Sequence, residues 1–247
     1  MGTILQRKEV ERVAVLIPAF REENSVAEVV IEARRYLPDV IVVDDASGDE
    51  TAQRAEQAGA TVIRRAINGG KGAALTEGFQ YILDQGFDAV IALDADGFHD
   101  PNQIPKFLET YHRTRIPVLI GSRMAEPQKV LPVRRWSIRM MSYWLNRLMH
   151  VYVPDPPCGF RFYRCDVLPF LLETGSSLPA EFETLLHIAS RRIRVGSVRI
   201  TKKPHRHKSW ISPFRDIIRF FKVLRNFYRK KREEAARLRA ASEEDRI

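Results

Sequence analysis

The chain has 247 residues, 45% hydrophobic and 29% charged, a composition that suits a globular protein with a sizeable core, as one large domain or a domain with an appendage. Its longest apolar runs, such as 13–20, fall far short of the ~18 residues a membrane-spanning helix needs, and residues 1–12 lack the apolar stretch of a secretory signal. The excess of 40 Lys+Arg over 31 Asp+Glu, formally +9, suits an anionic partner, whether nucleic acid, an anionic membrane surface or a phosphorylated substrate. A cytosolic protein is expected. The two cysteines, Cys158 and Cys165, flank a probable strand and read as free thiols with no chemical role.

In chain order, Val13 to Pro18 reads as a buried strand, since it is a short β-branched run stopped by proline. A polar turn over Pro18 to Asn24 leads into helical spacing from Ser25 to Leu37. A second strand, Val40 to Val43, runs into Asp44-Asp45-Ala46-Ser47-Gly48-Asp49. A short helix over Glu50 to Ala58 and a strand at Thr61 to Ile63 complete a βαβαβ order. Asn68-Gly69-Gly70-Lys71-Gly72 opens the next helix, and a fourth strand, Ala89 to Leu93, delivers Asp94-Ala95-Asp96-Gly97-Phe98-His99-Asp100-Pro101. A helix to about Thr114 and a strand at Val118 to Ile120 follow. Such alternation predicts an α/β fold with a mostly parallel sheet flanked by helices.

From Arg123 onward prolines punctuate the chain. Arg134 to Val151 reads as an amphipathic helix, Val167 to Thr174 and Glu181 to Arg191 as two more, and Val195 to Ile200 as a strand extending the same sheet. Residues 213–240 read as a long basic helix with an apolar stripe at Phe214, Ile217, Ile218, Phe221, Leu224, Phe227 and Tyr228.

Three strand ends thus point polar residues at one edge, where open α/β sheets bind ligands. Asp44 and Asp45 can accept paired hydrogen bonds from ribose hydroxyls or base edges. Asp94 and Asp96, spaced i, i+2, can hold a divalent cation that a substrate's phosphates complete. The alternative is that these carboxylates only shape turns and cap helices, Asp49 above all. Strand one is not followed by G-x-G-x-x-G, Gly70-Lys71-Gly72 lacks the rest of a P-loop, and no G-x-S-x-G is present. Metal-assisted group transfer from a nucleotide donor remains.

The ordered series Ile17 to Glu23, Val42 to Asp49, Asn68 to Gly72, Leu93 to Pro101 and Gly121-Ser122-Arg123 resembles the family 2 glycosyltransferases. More narrowly it is similar to their dolichyl-phosphate mannose synthase-like branch, whose members move a sugar from a nucleotide donor to a polyprenyl phosphate. Asp155 to Tyr163 resembles that branch's Asp-x-x-Ser-Gly-Phe-Arg segment, with Cys158 where serine is common. Arg206 with Lys208-Ser209 resembles its late basic element, with Trp210 where lysine is common. The resemblance implies a GT-A-type nucleotide-diphospho-sugar transferase fold over 1–212, with 213–247 a basic appendage at the inner face of the membrane.

The same resemblance implies that Pro18, Phe20 and Glu22 line the nucleotide pocket with Asp44, Asp45, Lys71, Asp94 and Ala95, and that Asp94 and Asp96 hold Mg²⁺ or Mn²⁺. Asp96 and Arg123 fall at the reacting centre, Arg123 on the acceptor side. Arg206 and Lys208 face the donor diphosphate or the acceptor phosphate. Phe98 stands where some relatives carry a polar metal contact.

An ionised phosphate acceptor scarcely needs a general base, its second pKa being about 6. A hydroxyl acceptor on a soluble sugar or a lipid would need one, and Glu181 and Glu183, with Asp155 behind them, are the candidates. Arg134, Arg135 and Arg161 are candidate phosphate or membrane contacts. The two amphipathic segments either lie in a membrane interface or pack into the core; core packing suits the first better and the interface suits the second. A non-catalytic nucleotide- or nucleic-acid-binding protein is the reading from another class. No helix-turn-helix, zinc-finger or RNA-binding signature supports a nucleic-acid partner, and a homo-oligomer stays open.

Overall fold

The short β-branched runs of the first half become strands, those of β1, β2 and β4 buried on both faces and the edge strand β3 partly exposed, and the amphipathic stretches between them become the helices that cover them. In the computed structural model, residues 10–125, 130–149, 151–172, 181–201, 217–218, 220–229 and 232–233 are described. The elements are β1 (Val13–Ala19), α1 (Val26–Arg34), β2 (Val40–Asp44), α2 (Thr51–Gln57), β3 (Thr61–Arg64), α3 (Lys71–Asp84) and β4 (Ala89–Ala92). They continue with α4 (Ile104–Thr114), β5 (Val118–Ser122), α5 (Pro132–Met149), β6 (Arg161–Arg164), α6 (Leu168–Leu172), α7 (Glu181–Ser190) and β7 (Val195–Arg199).

The strands form one seven-stranded sheet in the order β3-β2-β1-β4-β6-β5-β7. Only β6 runs antiparallel, between β4 and β5. The chain moves outward from β1 through β2 to β3 and then returns to the other side of β1 as β4. With right-handed crossovers, this reversal sends α1 and α2 to one face and α3 to the other, and it opens a crevice beyond the carboxyl ends of β1 and β4. α3 lies so close on β1 that a Cβ at Gly78 would come 2.3 Å from Leu16 Cδ1.

β6 is the element whose direction sequence spacing did not reveal. Its alternation places Phe160 and Phe162 against Phe107 and Tyr111 of α4, with ring centroids 4.5 and 4.8 Å apart. Tyr163, on the opposite face, meets Phe79 of α3 edge-on at 5.6 Å. Because β6 runs against its neighbours, its start lies at the same edge as the ends of β1, β2, β4 and β5. The segment 155–160 is thereby delivered to the crevice.

Each amphipathic segment buries part of its apolar face. In the tail, residues 217–218, 220–229 and 232–233 are helical, and Phe220, Leu224 and Phe227 are buried. Phe227 packs on His187 of α7 at 5.4 Å and Phe221 on Trp144 of α5 at 6.0 Å. α5 buries Ile138, Met141 and Leu145 but leaves Trp136 59% and Tyr143 62% exposed, next to exposed Leu131 and Val133. The tail thus has both a buried face and exposed apolar side chains, Ile218, Phe221 and Tyr228, and the start of α5 leaves a second group of apolar side chains exposed.

Candidate active site

The crevice is built from loops that follow four strands. After β1 the chain turns through Arg21 at φ +57°, and after β2 through Ala46 at φ +60°. A left-handed conformation at a residue with a side chain costs about 1–2 kcal/mol, and cross-loop hydrogen bonds offset it. The Arg21 amide donates to Ser47 Oγ (2.9 Å) and the Glu22 amide to Thr51 Oγ1 (2.8 Å). Asp49 accepts from the Thr51 amide at 3.1 Å and so shapes the turn that enters α2, whose N-cap is Glu50. Phe20 stands 42% exposed at the mouth, with the Arg21 guanidinium 5.2 Å from its ring centroid.

Asp45 is buried and organises the glycine loop before α3. Its Oδ1 accepts from the Gly69 amide (3.0 Å) and from the Arg65 guanidinium, and its Oδ2 accepts from the Gly70 amide (2.6 Å). Asn68 donates to the Asp45 carbonyl (3.0 Å). Arg65 also reaches Glu77 on α3 at 2.8 Å, so it ties β3 to that helix. Asp44 points into the protein: Oδ2 accepts from the Ser47 amide at 3.3 Å, and Oδ1 is buried with no hydrogen-bond partner. Gly70, at φ +81°, ends the loop and sets Lys71 as the first residue of α3.

Lys71 Nζ pairs with Asp94 Oδ1, and His99 Nε2 lies 3.2 Å from Asp94 Oδ2. Burial alone would raise the Asp94 carboxyl, but Lys71 and His99 together hold it well below the usual carboxylate range. Asp96 has the opposite balance. Burial raises its carboxyl and the Asp94 charge adds to that rise, opposed by the Phe98 amide that donates to Oδ1 at 2.9 Å. Burial likewise raises Glu22, with Asp96 and Asp94 adding to it against a hydrogen bond from Ser25 (2.8 Å). Three carboxylates after β1 and β4 thus share one field. Asp100, by contrast, accepts from the Asn102 amide (3.1 Å) and caps the turn before α4.

The start of β6 closes this cluster from the other side. Ala92 pairs with Arg161, and two residues further along the same register Asp94 faces Gly159. A Cβ on Gly159 would lie 2.8 and 2.9 Å from the Asp94 carboxylate oxygens and 2.9 Å from Lys71 Nζ. Only a glycine lets the two strand ends approach so closely. Among the described residues, no three His, Cys, Asp or Glu side chains converge as a complete metal cage. Two carboxylates, one of them raised by the other, nevertheless suit a hard divalent cation that a diphosphate and water complete.

Residues 14–171 match the model of the family described as glycosyl transferase family 2. The chain belongs to glycosyl transferase family 2. This glycosyltransferase is 34% identical over 167 residues to the undecaprenyl-phosphate mannosyltransferase of Micrococcus luteus, covering 64% of this chain and 68% of that protein. It is 29% identical over 175 residues to the polyprenol monophosphomannose synthase of Mycolicibacterium smegmatis, covering 64% of this chain and 63% of the relative. Among solved structures, the mannosyl-3-phosphoglycerate synthase of Rubrobacter xylanophilus superposes with a TM-score of 0.66 at 18% identity, over 91% of this chain and 75% of that one. The glucosyl-3-phosphoglycerate synthase of Mycobacterium tuberculosis superposes at 0.64 and 19% identity, over 86% of this chain and 79% of that one. The fold of the glycosyltransferase is GT-A.

The remaining expected site residues fall into three groups. Arg123, at the end of β5, is buried and held by Asp155, its Nε and Nη2 each 2.7 Å from a different carboxylate oxygen. Burial would depress this guanidinium, but Asp155 more than offsets that and raises it. Asp155 is thereby removed from the possible bases. Arg161 is buried and donates to the carbonyls of Cys158 (2.7 Å) and Pro156 (2.8 Å), so it braces the 155–160 segment rather than meeting a phosphate. The Cys158 thiol beside it is pushed up to about 12 by burial and is inert, and both cysteines are free.

Pro18 lies in β1 and Ala95 is buried between the two aspartates. Arg134 and Arg135 are half-buried in the first turn of α5. Glu181 and Glu183 open α7, and their side chains lie outside the described residues, as do Arg206 and Lys208. Sequence reasoning missed Arg65 and Gly159 and gave His99 no role. The register of β6 against β4 is the signal that would have found Gly159.

Proposed function

We propose that this glycosyltransferase moves a sugar from a nucleotide-diphosphate sugar to a polyprenyl phosphate at a membrane surface, inverting the anomeric carbon. The observation that carries the reading is the placement of Asp94, Asp96 and Glu22 in one crevice at the reversal of strand order. Lys71 sits on its rim and the Asp45-held glycine loop beside it. The crevice offers a carboxylate pair for a cation, an exposed Phe20 for a base and the Lys71 ammonium for a diphosphate. The two relatives are named undecaprenyl-phosphate mannosyltransferase and polyprenol monophosphomannose synthase, which supports a polyprenyl-phosphate acceptor. The Mycobacterium tuberculosis neighbour has been solved with Mn²⁺, uridine diphosphate and phosphoglyceric acid.

In the reaction, an oxygen of the acceptor phosphate bonds to the anomeric carbon as the bond from that carbon to the diphosphate oxygen breaks. The nucleoside diphosphate leaves with the electron pair. The acceptor, a monoester with a second pKa of about 6, is already largely ionised near neutral pH, so no side chain has to remove a proton. Asp94 and Asp96 would hold Mg²⁺ or Mn²⁺, which when bound offsets the charge growing on the departing diphosphate. Glu22, held by Ser25, adds a third carboxylate beside that pair, and Arg123, fixed by Asp155, carries a permanent positive charge to the end of β5. Arg206 and Lys208 are assigned to phosphate contacts. If the acceptor were instead a hydroxyl, Glu181 or Glu183 would serve as base, and Glu→Gln at either would abolish transfer.

Membrane association follows from the surface. No helix among the described residues is long and apolar enough to cross a membrane. Leu131, Val133, Trp136 and Tyr143 project from α5 among Arg134, Arg135, Arg139 and Arg147, a pattern that lies in an interface.

The test is transfer from GDP-mannose, UDP-glucose or UDP-GlcNAc to undecaprenyl phosphate, read by mass spectrometry with and without Mn²⁺. Asp94→Ala and Asp96→Ala should each lower turnover by about 10²-fold or more, the usual loss when charge stabilisation at a leaving group is removed. Absence of metal-dependent turnover with all three donors would sink the reading.

A further inference from the structure

We propose that Lys71 is a built-in counter-cation for Asp94, occupying that carboxylate in the donor-free protein and competing with the divalent ion for it. The inference rests on the cation site proposed above and adds a residue that governs when the site fills.

Lys71 belongs to two subsites at once. Its backbone is set from the nucleotide side, because Asp45 at the end of β2 fixes the Gly69 and Gly70 amides and Lys71 follows as the first residue of α3. Its ammonium lies on the cation side, paired with Asp94 Oδ1. His99 Nε2 stands 3.2 Å from the other oxygen, so both Asp94 oxygens are engaged before any ion arrives. Gly159 lies against the pair at the start of β6, close enough that a Cβ there would stand 2.9 Å from Lys71 Nζ. The match is one-sided: Asp96 receives the Phe98 amide at 2.9 Å, while the ammonium goes to Asp94.

A divalent ion entering here must share Asp94 with a like charge or displace it. The Lys71 side chain is 38% exposed and flexible enough to move. The arriving donor supplies the reason to move: its diphosphate, beside the glycine loop, offers the ammonium a new anionic partner. Asp94 is then released to the ion. Ion and donor therefore bind with positive coupling, and the ion alone binds weakly.

The probe is Mn²⁺ alone, titrated into the full chain without nucleotide and followed by calorimetry and by loss of the free-ion paramagnetic signal. Lys71→Met and Lys71→Gln should bind Mn²⁺ about fivefold or more tightly than wild type, the factor that removing one solvent-screened charge at contact distance implies. Lys71→Arg should stay within about twofold of wild type, because the charge is kept. The gain in Lys71→Met should shrink as NaCl is raised. Melting temperatures of both neutral variants show that each is folded, and the pair of them guards against a single misfolded protein.

Equal or weaker Mn²⁺ binding by folded Lys71→Met and Lys71→Gln, including no binding by any of the proteins, overturns the assignment. The cation site has its own control. If Asp94→Asn binds Mn²⁺ as wild type does, the two-aspartate site itself falls. If Asp94→Asn loses the ion and the neutral Lys71 variants gain nothing, only the role of Lys71 falls.

Discussion

Adjacent side chains of one type are put to different uses in this glycosyltransferase. Asp94 is charge-compensated and held below the carboxylate range, whereas burial and Asp94 raise Asp96. A raised carboxyl binds its proton more tightly in the folded chain than in the unfolded one. Stability without metal therefore falls as pH rises from the ordinary carboxylate value through the raised one, and stays lower above it. Asp96→Asn should melt higher than wild type at neutral pH, with the difference vanishing in acid below the ordinary carboxylate pKa; thermal melts across pH in chelator read this. Gly159 makes the complementary case. In Gly159→Ala the new methyl must push Asp94 or Lys71 aside, and a displacement of about 1 Å at a reacting site costs on the order of 10²-fold in turnover. The measurement is kcat against melting temperature, the latter moving little. Asp155→Asn leaves Arg123 buried without its carboxylate, and urea unfolding should show a loss of about 3–5 kcal/mol.

Among the elements, the two amphipathic helices each bury part of an apolar face and expose the rest. Hydrophobic spacing alone marks both as having an apolar face, but it does not say what covers that face. In the tail Phe220, Leu224 and Phe227 are buried, Phe227 lies on His187 of α7 and Phe221 on Trp144 of α5, while the start of α5 leaves Trp136 outside. Phe220→Ala should therefore lower stability by about 3–5 kcal/mol in urea titrations, as truncation of a buried aromatic does. Trp136→Ala should leave stability within about 0.5 kcal/mol of wild type and weaken co-sedimentation with lipid vesicles. If Phe220→Ala were silent and Trp136→Ala destabilising, the assignment of the two faces would be reversed.

For the whole molecule, charge and topology act together. On the proposed membrane reading, the net +9 supplies attraction to anionic surfaces and the exposed apolar side chains of α5 supply burial there. Binding to vesicles containing anionic lipid should accordingly fall steeply as salt is raised through physiological strength, where the Debye length is about 8 Å. Neutral vesicles should retain only a weak, salt-insensitive fraction. Co-sedimentation against NaCl measures both.

The sequence by itself determined the α/β alternation, the strand ends that carry Asp44-Asp45 and Asp94-Ala95-Asp96, and the family, because buried parallel strands and glycine-rich turns are local in their spacing. It placed Asp45, Asp94 and Asp96 at strand ends but not what they hold. Asp45 as the anchor of the glycine loop, Asp155 as the partner of Arg123 and Gly159 as the neighbour of Asp94 each depend on groups 24 to 65 positions away. Only the tertiary structure decided these. The reversal of strand order after β3 and the antiparallel entry of β6 bring the distant segments to one edge, and no local period encodes either event.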